Sequence, residues 1–284
     1  MDRISIGRYL PVLLVGFMLQ TADAFAGARF NKVVTIVFEN THRDKVLKQS
    51  DFMKFAKMGA LLKGMRAATH PSQPNYIMMV AGDTLGVNSN KNYDLNNPNI
   101  ADLLEQKGLT WKSYSEGFPG NCFLGATSGR YARKHSPFMS FKSITGNPTR
   151  CANNQTLEHF FEDINRSQLP NYSFVVPNLD NDAHDTDIDH AGRWLTQNFG
   201  PLLEFAVRGG DTLYVLTFDE DNGSSPTNDV YTVLIGPAIK AGVVNNQVLN
   251  HGSMLRMIED EFHLNRLGTT DVTSPIIEGI WKTN

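Results

Sequence analysis

Runs of apolar, β-branched residues alternate along the chain with stretches whose apolar positions recur at helical spacing. Residues 33–38 (Val-Val-Thr-Ile-Val-Phe) form an unbroken run with the composition of a strand buried on both faces. Comparable runs occupy 172–176, 212–218 and 231–235. Between them, residues 100–107, 157–164, 191–207 and 252–262 carry helical periodicity, and the apolar segment 77–81 follows Pro74, which suits a first helical turn. Strands alternating with helices predict βαβ units, and so an α/β fold with a mostly parallel central sheet covered on both faces. No internal repeat, low-complexity tract or Pro/Ser-rich linker interrupts residues 27–284, which read as one domain. Two loop-rich stretches, 88–99 and 117–154, read as insertions over the sheet's working edge.

The first 26 residues follow a different rule. Asp2, Arg3 and Arg8 precede a short apolar stretch over 9–19, and Ala24-Phe25-Ala26 supplies a small-residue exit. This is the layout of a secretory signal peptide, and the stretch falls well short of the roughly 20 residues a membrane span needs. The expected mature protein is secreted or periplasmic, without a transmembrane span. In that oxidising setting Cys122 and Cys151, both in loop-like sequence, read as a disulfide rather than as two free thiols.

Polar residues collect where the predicted strands end. The run at 33–38 leads into Glu39-Asn40-Thr41-His42, the run at 172–176 into a segment holding Asp180, Asp182, His184 and Asp185, and the run at 212–218 into Asp219-Glu220-Asp221. Asn250-His251-Gly252-Ser253 opens a helix. Each cluster alone reads as a solvated turn or helix cap, but open α/β sheets bind ligands at the carboxyl ends of their strands. Carboxylates this crowded repel unless a cation neutralises them, which points to a divalent metal. Ser72, just before Pro74, is either a plain helix cap or a nucleophile placed in the positive potential of a helix start. Asn75 could then donate to a phosphoryl oxygen.

These residues, in this order, resemble a known family. Phe38-Glu39-Asn40, His70-Pro71-Ser72-Gln73-Pro74-Asn75-Tyr76, the stretch from Tyr131 to Phe138, Asn181-Asp182-Ala183-His184-Asp185, Phe218-Asp219-Glu220-Asp221 and Asn250-His251-Gly252-Ser253 are similar to motifs of the secreted phosphoesterases, which include acid phosphatases and non-haemolytic phospholipases C. The resemblance implies an alkaline phosphatase-like three-layer sandwich with metals at the strand ends. It implies Ser72 as the nucleophile, with Glu39, Asn40, Asp219 and Glu220 on a first metal. Asp180, Asp182 and Asp185 become candidates for a second metal, with Asp180 and Asp182 as alternatives. His184 and His251 would stabilise the leaving oxygen, and Asn75, Lys134, His135 and His70 would meet the substrate. Glu220 stands where typical alkaline phosphatases carry a histidine, so the oxygen-rich first site favours Mg²⁺, Mn²⁺ or Ca²⁺ over Zn²⁺, with one or two ions bound.

The expected activity is therefore metal-dependent hydrolysis of phosphate esters through a phosphoseryl intermediate. The alternatives are a phosphodiesterase of the phospholipase C type acting on lipid head groups, and a phosphate-binding protein without turnover. The chain is short for the phospholipases, which tilts the expectation towards small esters. With 26 basic against 29 acidic residues, nothing in the charge balance suggests nucleic-acid binding. A serine esterase would need a Gly-x-Ser-x-Gly elbow, which the chain lacks.

Overall fold

A computed structural model describes residues 29–283, so the expected signal peptide lies outside the described residues. Eight strands form one sheet: β1 (Lys32–Phe38), β2 (Ala60–Leu62), β3 (Trp111–Ser115), β4 (Asn154–Gln155), β5 (Tyr172–Val176), β6 (Thr212–Phe218), β7 (Thr232–Ile235) and β8 (Val243–Asn245). Their order across the sheet is β8-β2-β7-β6-β1-β5-β3-β4. Every pairing is parallel except those of β7, which runs against both β6 and β2. β1 lies at the centre, and Val33, Val34, Ile36, Val37 and Phe38 are fully buried, as a strand covered on both faces requires.

The principal helices are α1 (Ser50–Met58), α2 (Ser72–Ala81), α3 (Ile100–Gln106), α4 (Leu157–Asn165), α5 (Ile188–Arg208) and α6 (His251–Glu261). Strand alternation sorts them into layers. Phe38 packs on Phe52 of α1 and Trp194 of α5, with ring centroids 5.2 and 6.1 Å away. Thr35, three residues earlier, points to the other face and is in register with Phe174 of β5. Phe174 meets Tyr76 of α2 at 6.3 Å, and α2 in turn packs on α6. The result is the expected three-layer arrangement.

The elements not predicted above are helix α1, which buries only Phe52, Phe55 and Ala56, and the short or polar strands. β2 has three residues, and β3 (Trp-Lys-Ser-Tyr-Ser) carries too little apolar sequence to signal a strand. Helix α5 starts at Ile188 rather than near Ala191, because the Asp187 side chain accepts the His190 N–H and caps it there. The 117–154 insertion is itself folded. Cys122 and Cys151 form a disulfide with Cα atoms 5.7 Å apart, beside a small cluster of Phe118, Tyr131 and Met139. Inside it, buried Arg133 donates to the carbonyls of Tyr93, Leu124 and Met139, tying the insertion to the 88–99 loop.

Closing a 29-residue loop contributes about 3–4 kcal/mol in the chain-entropy account. The double variant Cys122→Ser/Cys151→Ser is therefore expected to melt about 6–15 °C below the parent by calorimetry, and an unchanged melting point would show that the insertion is held by its side chains alone.

Candidate active site

Strand register brings the first two acidic residues together. Phe38 pairs with Phe218 across β1 and β6, so Glu39 and Asp219 leave the sheet side by side from strands about 4.8 Å apart. The Asp219 N–H donates to the Phe38 carbonyl at 3.0 Å, and the Asn40 N–H donates to Asp219 Oδ1 at 3.3 Å. On the opposite side of β1, the Glu39 N–H donates to the Asp182 carbonyl at 2.9 Å. Glu39, Asp182, Asp219 and Glu220 are all buried.

Helix α2 delivers Ser72 to this group. The His70–Pro71 peptide is cis, Pro71 is the N-cap residue, and Ser72 is the first residue of the helix. Its hydroxyl caps nothing. Ser72 Oγ lies 3.0 Å from Glu39 Oε2 and 3.0 Å from Glu220 Oε1, so the capping alternative falls away. One hydroxyl hydrogen cannot satisfy two carboxylates, so a proton or a cation must share the space between them. The helix start is poorer in free donors than expected: the Gln73 N–H is taken by Asn90 Oδ1 at 3.0 Å, and Pro74 has no N–H. Asn75 is also committed elsewhere. Its Oδ1 accepts from Ala68 N and Thr69 N, and its Nδ2 donates to the Thr69 and Pro71 carbonyls. That uses the whole amide on the preceding loop, so Asn75 shapes the turn rather than reaching for a phosphoryl oxygen.

Burial, and then the charges of Glu39 and Glu220, push Asp219 well above the usual carboxylate range. Burial likewise raises Asp182, and it raises Glu220 against the pull of His70. Burial would raise Glu39 too, but His135, with lesser help from Lys134 and His184, holds it down to about 2. His135 is the counterpart. Although buried, it is raised to about 9 by Glu39 and Asp182, with Nε2 at 2.8 Å from Glu39 Oε1 and Nδ1 at 3.4 Å from Asp182 Oδ2. Tyr76 stacks on this imidazole at 5.0 Å. Expected to meet substrate, His135 is an internal counter-ion between two carboxylates.

The remaining candidates separate by position. Half-buried Lys134 Nζ lies 3.0 Å from His184 Nε2, and His184 Nδ1 lies 2.7 Å from Asp185 Oδ1. Asp180 and Asp185 are paired with Arg130 at 3.1 and 2.9 Å. Between the alternatives Asp180 and Asp182, it is Asp182 that enters the buried group, and His135 already faces it. The expectation of a second metal on Asp180, Asp182 or Asp185 thus meets carboxylates matched to cationic side chains. His70 hydrogen-bonds Glu220 through Nδ1 and so holds that carboxylate rather than Ser72 itself. Fully buried His251 has its Nε2 2.7 Å from the Asp219 carbonyl, and burial lowers it to about 4. It supports the Asp219 backbone as a neutral imidazole, a poor leaving-group acid. Arg130 lies outside every motif singled out in the sequence, and only the density of charge around residue 130 hints at it; Tyr76, part of the His70–Tyr76 motif, had no role assigned to it.

Among the described residues, no three His, Cys, Asp or Glu side chains already stand around one point as a metal cage. The donor set nevertheless suits a hard cation. Asp219 Oδ2 is buried without a hydrogen-bond partner, and Glu39 and Glu220 set more acceptors around Ser72 than one hydroxyl proton can serve.

Comparison with known proteins gives four points of reference. The model of the phosphoesterase family matches residues 48–265. A probable acid phosphatase of Kluyveromyces lactis is 35% identical over 89% of this chain, which spans 63% of that relative's length. A phosphatidylinositol-3-phosphatase of Mycobacterium tuberculosis is 33% identical over 89% of this chain and 83% of its own. In fold, an alkaline phosphatase superfamily protein from Vibrio parahaemolyticus superimposes with a TM-score of 0.61 at 11% identity, covering 89% of this chain and 72% of that one.

The raised Asp219 makes a signed prediction. In chelator, Asp219 ionises freely in the unfolded chain but not in the folded one, so this residue lowers stability as pH rises above about 4, by up to about 1.4 kcal/mol per pH unit. Asp219→Asn removes that slope. Melting curves from pH 4 to 8 in chelator should show the variant gaining on the parent as pH rises, and a constant difference would mean that Asp219 is not electrostatically strained.

Proposed function

The chain belongs to the phosphoesterase family, and from that premise we propose that it is a metal-dependent hydrolase of phosphate monoesters, acid phosphatase-like, with Ser72 as nucleophile. The observation that carries this reading is the buried Ser72 hydroxyl held 3.0 Å from each of two carboxylates. A serine used only for structure has no need of two acidic acceptors. Glu39, Asn40, Asp219 and Glu220 would hold the divalent cation, and their oxygens suit Mg²⁺, Mn²⁺ or Ca²⁺ better than Zn²⁺. Such an ion supplies Lewis acidity and lowers the pKa of a neighbouring hydroxyl.

The chain's own groups account for the rest. Ser72 Oγ passes its proton to an adjacent carboxylate and attacks phosphorus, the ester P–O bond breaks, and the leaving oxygen takes up a proton. Water then cleaves the phosphoseryl ester and restores the hydroxyl. Half-buried Lys134, held by His184 Nε2 at 3.0 Å, would meet the phosphoryl charge. Glu39, His135 and Asp182 form the buried wall behind Ser72.

Both relatives bear the names of phosphatases, which favours a monoester over the phosphodiester of a phospholipase C. Phosphorylated lipid head groups belong in the substrate panel beside small esters, because one relative is named for that class. Residues 1–26 are proposed as an export signal, in keeping with a disulfide that needs an oxidising compartment.

Ser72→Ala is expected to lower kcat on a chromogenic monoester about a thousandfold or more, with ion content by elemental analysis unchanged. Chelation should silence the parent enzyme and added Mg²⁺, Mn²⁺ or Ca²⁺ restore it. Turnover retained in Ser72→Ala would eliminate the covalent route, and phosphate binding without turnover under every ion would make the protein a binder.

A further inference from the structure

Arg130 lies at the turn of a hairpin whose strands are Thr127–Ser128 and Tyr131–Ala132, within the 117–154 insertion. It is exposed and belongs to none of the motifs on which the resemblance rests. We propose that Arg130 is a positioning residue, a two-carboxylate clip that holds His184 in the tautomer required to present the Lys134 ammonium to substrate; the clip's catalytic consequence rests on the phosphomonoesterase reading above.

The geometry runs through one chain of contacts. Arg130 Nε lies 3.1 Å from Asp180 Oδ2, and Nη1 donates to Asp185 Oδ2 at 2.9 Å. The Arg130 carbonyl accepts the Leu179 N–H at 3.1 Å, so backbone and side chain both grip the 178–186 loop. A planar guanidinium can serve two separate carboxylates at once, which a lysine ammonium on a flexible stem does less well. The second oxygen of Asp185, Oδ1, then faces His184 Nδ1 at 2.7 Å. An ionised carboxylate only accepts, so the imidazole proton sits on Nδ1 and Nε2 offers a lone pair. Lys134 Nζ donates into that lone pair at 3.0 Å. The insertion thus grips the His184 loop twice, through Arg130 on one side and Lys134 on the other.

Exposed ion pairs add at most about 1 kcal/mol to stability, so loss of Arg130 leaves the fold intact. It frees Asp185 to turn to water, and the proton on His184 can then move to Nε2. Two donors would face each other, and Lys134 would leave its place.

The test compares the parent with Arg130→Ala, Arg130→Lys, Asp185→Asn and the Arg130→Ala/Asp185→Asn double variant. Nitrogen-15 spectra of histidine-labelled protein read the His184 tautomer without any turnover, and steady-state kinetics on a chromogenic monoester give kcat and KM. Expected are a pure Nδ1–H signature in the parent, mixed tautomers in Arg130→Ala, and a fall in kcat of about tenfold with KM within about twofold. The melting point should move by less than about 3 °C. Arg130→Lys should recover only part of kcat, and the double variant should be no worse than Asp185→Asn. An unchanged His184 signature in Arg130→Ala, full recovery by Arg130→Lys, or losses that multiply in the double variant would each overturn the clip. A parent protein that hydrolyses no phosphate ester would overturn the functional reading instead, and the tautomer spectra would still decide whether Arg130 sets the proton on His184.

Discussion

An excess of buried negative charge around one hydroxyl governs the arrangement of this molecule. Glu39 and Glu220 meet at Ser72, Asp219 leaves the sheet beside Glu39, and Asp182 adds a fourth carboxylate across β1. Unpaired buried carboxylates are costly, and no native fold keeps them without compensation. Part of that compensation is internal. His135 keeps a proton well above its usual range because two carboxylates face it, and its charge keeps Glu39 ionised. Asp219, beside Glu39, keeps Oδ2 buried without a partner.

Secondary structure produces this crowding at little cost to itself. The central strands are parallel, apolar and in register, so their ends fall at one level, and the residues that follow must emerge there as neighbours. The rigid sheet holds the acidic residues where their mutual repulsion cannot part them. Other polar groups serve that restraint. Asn75 spends its amide on the turn before α2, His70 grips Glu220, and His251 supports the Asp219 carbonyl.

The strand ends were legible from the amino-acid order because a long β-branched run followed by acidic residues is a local signal. The clusters at Glu39 and Asp219 could be placed on one sheet edge on that basis, whereas their grouping with Ser72 came from the family resemblance. The central strands and helices α3 to α6 were located to within a few residues. Short elements such as β2, and polar ones such as β3, carry no such signal because tertiary pairing alone creates them. The same limit explains the side chains whose roles changed. Asn75 and His251 have the right chemistry to meet a phosphate or a leaving group, but the partners that occupy them are backbone carbonyls and amides, which sequence does not display. His135 was recognisable as a site residue, whereas its place between Glu39 and Asp182 depends on how a 38-residue insertion folds over the sheet. Arg130 was invisible for a related reason: its meaning lies in the distances to Asp180 and Asp185, some fifty residues away.

The two signs of charge around the site have different origins. The acidic groups come from the ends of sheet strands, whereas Arg130, Lys134 and His135 all come from the insertion, braced by the Cys122–Cys151 disulfide and by Arg133. On the proposed reading a phosphate ester would carry negative charge into this setting, and the carboxylates by themselves would repel it. Attraction has to come from the insertion, from a cation neutralising the acidic side, or from both. On the reading proposed above, the sheet would govern activation of Ser72, and the insertion would govern which anion is admitted and how it lies. Changes in the insertion can alter substrate preference without disturbing the register that joins Glu39 to Asp219, because no backbone pairing of β1 with β6 passes through it. Relatives built on the same sheet can then differ in substrate while keeping one acidic centre, and the segment between residues 117 and 154 is where such differences should lie.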